Sequence, residues 1–344
     1  MSKCDIVMPV WNQLESTRNC IDSIKKCTRY PYKLIIIDNG SDYGTKGYLE
    51  GLKESPDTDV TLVRNEENEG FIKAVNKGIS LSTGEYLCVL NNDTIVTDGW
   101  LEEMVKVFDR DPSIGIVNPS SNTLGQKLPD GVTPKEFTGN SKTESGMFVE
   151  LGSAFGFCML MKRELFDTIG LFDEIYGMGN FEDTDFCLRA KKRGYKTVRA
   201  FASYVYHKES RSFRLLRGFK KDFEKNKRIF ESKWGKTGRT AVVFKNINAN
   251  YLGYLKIILN KYAKEKSWVY IISPIFDTKV FFERYSNLTF YHYRRLFYIS
   301  AFLKIIFKKK KPDTVYCDNK YFSDFLKVLK IFHSADIKML GEAI

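Results

Sequence analysis

The stretch Tyr86-Leu-Cys-Val-Leu-Asn-Asn-Asp93-Thr94 opens as a short apolar run and ends abruptly in two amides and a carboxylate. An apolar run bounded in this way reads as a strand buried on both faces, as in a parallel sheet covered by helices. The carboxyl end of such a strand points into the crevice where open α/β sheets bind ligands. Asp93 there supplies the kind of oxygen that a hard cation such as Mg2+ or Mn2+ prefers. Taken alone, the stretch reads equally well as a strand running into a polar turn.

The flanking sequence repeats the pattern. Cys4-Asp-Ile-Val-Met-Pro-Val10 reads as a first strand, followed by Trp11-Asn12 and a helix from Leu14 to Lys26. Lys33-Leu-Ile-Ile-Ile-Asp38 is a second buried strand, and Val60 to Arg64 a third. Asn68-Glu-Gly70 opens a helix through Phe71, Ala74, Val75 and Ile79. Strands alternating with helical patterns make βαβ units and a largely parallel sheet. A plain dinucleotide-binding fold is disfavoured, because Pro-Val-Trp-Asn follows the first strand where a Gly-rich pyrophosphate turn would stand. Further on, Trp100, Met104 and Phe108 have the spacing of a helix's core face, and Ile114 to Pro119 is another strand. Ser120 to Ser145 reads as a long loop, of a length that is usually functional or mobile. Phe148 to Met161 reads as a strand region whose Gly152 and Gly156 allow close approach to the backbone.

The chain of 344 residues has 43% hydrophobic and 28% charged residues, ordinary for a globular protein and enough for two domains. Its seven cysteines are scattered, odd in number and without a CxxC pair. That argues against a disulfide framework or a zinc site and for a reducing compartment. Met1-Ser-Lys-Cys-Asp runs straight into the first strand, leaving no room for a signal peptide, so a cytoplasmic location is expected. The net charge of +12 is unevenly placed: residues 1–207 carry −6 and residues 208–344 carry +18. A basic rear half suggests an anionic surface for it to meet.

Val7-Met-Pro-Val-Trp-Asn12, Ile37-Asp-Asn-Gly-Ser-Asp42, Asn68-Glu-Gly-Phe71 with Asn76, and Leu90-Asn-Asn-Asp-Thr94 occur in that order. Together they resemble the inverting family 2 glycosyltransferases of the GT-A fold, especially the rhamnosyltransferase-like branch, over roughly residues 1 to 210. The resemblance implies a nucleotide-sugar donor, a saccharide acceptor and a divalent cation, Mn2+ or Mg2+. It implies that Asp38 accepts hydrogen bonds from the nucleoside, with Pro9, Asn12 and Asp42 shaping that end of the pocket. Asn68, Gly70, Lys73 and Asn76 would lie near the diphosphate. Asn91-Asn92-Asp93 stands where the family has its Asp-x-Asp metal motif. An amide replaces the first carboxylate, so Asn91 and Asn92 would serve the donor and Asp93 would do most of the metal work. By themselves, Asp38 also reads as the cap of the next helix and Lys73 as a solvated residue.

A second chemical centre is Gly177-Met-Gly-Asn-Phe-Glu182-Asp183-Thr-Asp185-Phe-Cys-Leu-Arg189. Acidic residues favour a helix N-terminus, which alone accounts for Glu182 and Asp183. The resemblance gives Asp183 the role of catalytic base, with Glu182 as second candidate. Inverting transfer needs one carboxylate to deprotonate the acceptor hydroxyl. Asp185 and Arg189 read as an orienting or structural pair. His207, one of three histidines, reads as structural by itself; the resemblance makes it a further metal or diphosphate ligand.

In the rear, Leu215 to Trp234 and Tyr251 to Tyr262 read as helices, the first basic, with Phe219, Phe223, Ile229 and Phe230 as contact residues. Trp268–Ser273, Leu288–Tyr293 and Thr314–Asp318 read as strands, with helices Phe276 to Tyr285 and Leu296 to Lys311 between them. The expected organisation is a GT-A domain over 1–210, a basic helical extension over 211–266 and a small α/β region over 267–344. The apolar run Leu296 to Phe307 is too short to span a bilayer. Lys308-Lys-Lys-Lys311 reads as a solvated helix end or as part of a face for anionic membrane. No nucleic-acid module surrounds it. The expected function is inverting transfer in cell-surface polysaccharide synthesis, against a non-catalytic nucleotide-sugar-binding module of the same fold.

Overall fold

A computed structural model describes residues 4–54, 59–124, 128–129, 131–134, 136–137, 142–208, 219–246, 253–255, 257–258, 262, 267–275 and 288–341. Its contacts divide the chain into two units, Met1–Trp234 and Gly235–Ile344. The division falls inside the expected extension 211–266, and each unit has a sheet of its own.

In the front unit, β1 (Cys4–Val10), α1 (Leu14–Cys27), β2 (Tyr32–Asn39), α2 (Tyr43–Lys53), β3 (Val60–Asn65), α3 (Phe71–Ser80) and β4 (Tyr86–Leu90) form the expected βα succession. There follow β5 (Thr94–Val96), α4 (Trp100–Phe108), β6 (Ile114–Ser120), β7 (Phe148–Glu150), β8 (Cys158–Lys162), α5 (Glu164–Ile169), α6 (Glu182–Lys192), β9 (Lys196–His207) and α7 (Phe219–Trp234). The sheet order is β3-β2-β1-β4-β8-β6-β9-β5, with β7 paired to β9. β1 to β4 are mutually parallel, whereas β8 lies antiparallel between β4 and β6.

The all-apolar strands still obey a period of two. Ile6, Met8 and Val10 enter one core with α1, α2 and α4, while Val7, Ile35 and Ile37 enter another with α3, α6 and α7. Covering on both faces is what permits continuous apolar runs. α3 lies so close on β1 that a Cβ at Gly78 would sit 2.4 Å from Val7 Cγ1.

The region Phe148 to Met161, expected as a strand region, holds two strands. β7 and β8 take separate places in the sheet, and a crossing with Gly152 and Gly156 joins them. α7 belongs to the front unit. Phe230 packs in its core, and Asn226 donates to the carbonyls of Tyr176 at 2.6 Å and Gly179 at 2.8 Å.

The rear unit contains β10 (Arg239–Val243), β11 (Trp268–Ser273), β12 (Leu288–His292), α8 (Phe297–Phe307), β13 (Thr314–Cys317), α9 (Lys320–Val328) and β14 (Asp336–Met339). Its five strands run in the order β12-β11-β10-β13-β14, all parallel. The strands β10 and β14 go beyond the three expected. The helix expected over Phe276 to Tyr285, much of Tyr251 to Tyr262 and the start of Leu215 to Trp234 lie outside the described residues.

Candidate active site

The C-terminal ends of β1, β2 and β3 are tied into a knot around Asp38, which is 1% exposed. Asp38 Oδ1 accepts from the Ser41 amide at 3.0 Å, and Arg64 pairs with Oδ2. Arg64 stands opposite Asp38 in the β2–β3 register and also donates to the Ser41 carbonyl. Asn12, held at a left-handed φ of 57°, receives the Asp42 amide on Oδ1 at 2.7 Å. Its own amide donates to Ser41 Oγ at 2.9 Å. Asp42 caps α2 through the Thr45 amide, which holds its carboxyl below the usual range. The helix cap is therefore Asp42, and Asp38 closes a local turn. Pro9 sits beside this knot, paired with Ile37.

Toward the β3–α3 turn runs a ladder of amides. Asn65 donates to Asn39 Oδ1 at 2.9 Å, and Asn39 donates to Asn68 Oδ1 at 2.8 Å. Asn68 Oδ1 also accepts from the Gly70 amide at 3.0 Å. Gly70 has φ 92°, and a Cβ there would meet Met178 at 3.0 Å, so the turn abuts the loop that leads to Glu182. Lys73 is exposed on α3. Asn76 faces the body of the protein: its amide spans the backbone N–H and C=O of Phe172 and reaches Glu174. It braces the segment after α5.

Beyond β4, Asn92 turns back to Thr17 on α1 at 2.9 Å. Asp93 Oδ1 lies 3.3 Å from His207 Nε2, brought there because β5 pairs antiparallel with the end of β9. The His207 ring stacks on Phe157 at 4.9 Å, and Asn122 grips its backbone, accepting from N–H and donating to C=O. Asn91 Oδ1 is buried without a hydrogen-bond partner among the described residues, and Asn91 lines a cavity of about 480 Å3. His207, Glu182 and Asp183 line the same cavity, with Phe71, Phe157 and Phe223 among its walls. Residues far apart in the chain, Asn91, Glu182, Asp183 and His207, thus meet in one place.

Asn180 and Phe181, with φ of 76° and 75°, swing the backbone into α6. Non-glycine residues in that region are strained and cluster at functional sites. Phe181 is held between Phe223 and Phe230 of α7, each ring 5.2 Å away. Asp183 Oδ2 accepts from the Gly156 amide at 3.0 Å and Oδ1 from the Thr184 amide at 2.6 Å. Burial raises the Asp183 pKa, and those amides hold it back. Burial and the neighbouring Asp183 charge push Glu182 up to about 8, and its Oε2 has no partner among the described residues. The two carboxylates titrate as a pair, and the charge of one opposes ionisation of the other.

Asp185 is fully buried and separate from this pair. Burial opposes its charge, but Lys233, Trp234 and Arg189 outweigh that and hold its carboxyl below the usual range.

Among the described residues no group of three or more His, Cys, Asp or Glu gathers as a ready-made metal cage. The donors present are the Asp93 carboxylate, the His207 imidazole and the Asn91 amide oxygen. Such a set fits Mg2+ or Mn2+, which keep part of their shell for phosphate oxygens or water.

Residues 5–170 match the family model described as glycosyl transferase family 2. The uncharacterized protein y4gI of Sinorhizobium fredii is 28% identical over 239 residues, 60% of this chain and 24% of that protein. The O-antigen biosynthesis protein RfbC of Myxococcus xanthus is 27% identical over 236 residues, 62% of this chain and 18% of that protein. The chain thus spans about a quarter or less of the length of these two relatives. The crystal structure of GalNAc-T7 with UDP, GalNAc and Mn2+ superposes with a TM-score of 0.50 at 19% identity, covering 60% of this chain and 44% of that one. The shared architecture is the GT-A fold, as the sequence led one to expect.

Proposed function

We propose, from the premise that the front unit belongs to glycosyl transferase family 2, that this chain is an inverting, cation-assisted glycosyltransferase. Its donor is a nucleotide-sugar and its acceptor a saccharide hydroxyl, in cell-surface polysaccharide synthesis. The observation that carries this reading is the cavity shared by Asp183, Glu182, His207 and Asn91. The likeness to the O-antigen biosynthesis protein RfbC supports the polysaccharide setting, and the ligands of GalNAc-T7 support a nucleotide and a cation.

In this mechanism Asp183 accepts the proton of the acceptor hydroxyl as its oxygen attacks the anomeric carbon. The bond from that carbon to the diphosphate breaks, the configuration inverts, and the nucleoside diphosphate leaves. The Gly156 and Thr184 amides fix the Asp183 carboxylate, and burial makes it a stronger base than an exposed aspartate. Glu182, its pKa pushed up by burial and by Asp183 beside it, can share a proton with a substrate oxygen. Asp38, enclosed by Ser41 and Arg64, fixes the turn that shapes the nucleoside end of the site, while Asn12 and the Asn39–Asn68 ladder hold the turns around it. Asp93 and His207 would hold the cation, which when bound offsets the charge growing on the leaving diphosphate.

The amide at Asn91, where a carboxylate would strengthen cation binding, favours one other reading: a nucleotide-sugar-binding module without turnover. Donor turnover measured with and without Mn2+ separates them. Mn2+-dependent hydrolysis or transfer supports the enzyme. Nucleotide binding without turnover of any donor supports the module.

A further inference from the structure

The rear unit carries large apolar side chains that its own core does not use. At the start of α8 and along it, Leu296, Ile299, Leu303 and Phe307 are 46% to 79% exposed. On α9, Tyr321, Phe325 and Val328 are 48% to 86% exposed. At about 100° per residue each set falls within an arc of about 80°, so each is a stripe. Phe297, Ala301 and Ile305 of α8 and Phe322 and Leu326 of α9 point the opposite way, into one shared core on one face of the sheet. Both stripes therefore look outward together. The helices are neighbours, since Phe302 and Phe325 have ring centroids 5.0 Å apart.

We propose that this two-helix face docks on an anionic lipid bilayer. A soluble surface rarely leaves so many large apolar groups side by side unless something covers them. Charge selects the cover. Residues 288–332 contain ten Lys and Arg against three Asp. Arg294 and Arg295 precede α8, Lys309 and Lys310 follow it, and Lys320 and Lys327 flank the α9 stripe, all of them exposed. A second copy of this face would bring like charges together. Anionic headgroups complement them while the acyl boundary takes the stripes. α8 has eleven residues, and no helix among the described residues is long and apolar enough to cross a membrane. The helices lie in the interface, and attachment is reversible. The inference stands on the rear unit alone and needs nothing from the catalytic cavity.

Flotation of the full chain with vesicles of phosphatidylcholine, alone or mixed with phosphatidylglycerol, tests it. One variant combines Leu303→Asp with Val328→Asp; another combines Lys309→Gln with Lys310→Gln. All four positions are exposed, and thermal unfolding checks that each variant folds. The expected result is binding to the mixed vesicles that weakens with salt and falls on the order of 10-fold in either variant. The proposal is overturned if the full chain ignores the mixed vesicles, or if the Asp variant binds them as well as the parent. It is overturned equally if the parent is a dimer that the Asp variant disperses while vesicle binding stays absent. If the Asp variant misfolds, the Gln variant decides: binding equal to the parent's sinks the proposal.

Discussion

Trp234 donates its indole N–H to Asp185 Oδ1 at 2.7 Å, tying the last residue of α7 to the acidic turn of α6. Arg189 and Lys233 reach the same carboxylate at 2.8 Å each, and the Tyr176 hydroxyl at 3.2 Å. The helix after the expected domain boundary thus holds the segment that presents Glu182 and Asp183.

Asp185→Ala should destabilise the front unit by about 2–4 kcal/mol, because it strands buried donors. Urea unfolding followed by tryptophan fluorescence checks this. A loss below roughly half a kcal/mol, the scale of a surface substitution, would show that the network is incidental.

Asp183→Asn should lower turnover on the order of 10²-fold or more while nucleotide affinity stays near that of the parent. The amide keeps the shape but cannot take the proton. Single-turnover transfer together with calorimetry reads both quantities. Near-normal turnover would move the base to Glu182 or elsewhere.

Glu182 gives a pH signature. Its folded pKa of about 8 lies above the ordinary value of 4.5, so the folded state keeps a proton that the unfolded state has lost. Its contribution is fully present below pH 4.5 and is lost as pH rises toward 8. Glu182→Gln should therefore gain stability relative to the parent as pH rises through that window. Thermal unfolding between those limits measures it, and a stability difference independent of pH contradicts the assignment.

His207→Ala and Asp93→Ala should each weaken the Mn2+-dependent part of nucleoside diphosphate binding, by about 10-fold or more, and leave metal-free binding nearly unchanged. Calorimetry with and without Mn2+ separates the two parts. Unchanged Mn2+-dependent affinity in both variants would mean the cation is held elsewhere.

Much of the front sheet was legible because burial on both faces writes itself as continuous apolar runs, as in Leu34-Ile-Ile-Ile37 of β2. The acidic ends of those runs located the crevice. Asp185 and Arg189 read as an orienting or structural pair, and they form an i,i+4 ion pair. Arg64 was missed as the partner of Asp38, although a cation at the end of β3 opposite an acid at the end of β2 was its signal. The role of Asn76 could not be read, because its partner Phe172 lies 96 residues away and is reached through the backbone. β14, Asp336-Ile-Lys-Met339, alternates over only four residues and does not stand out from a loop, whereas the apolar run Ala241-Val-Val-Phe244 at β10 was a readable signal that was passed over. α7 read as a separate extension because its basic surface dominates its sequence, while Asn226 and Phe230, which dock it, are isolated signals.

The closing of the front unit by Trp234 sets an order of events during synthesis. A nascent chain that has emerged as far as His207 already carries Asp93, Asp183 and His207, yet its Asp185 has neither Lys233 nor Trp234 to meet. At about 5–20 residues per second, the ribosome supplies those partners roughly 1–5 s later. During that interval the acidic turn is held by Arg189 and Tyr176 alone, and a translational pause there would prolong the exposure of an unfinished core to chaperones and proteases.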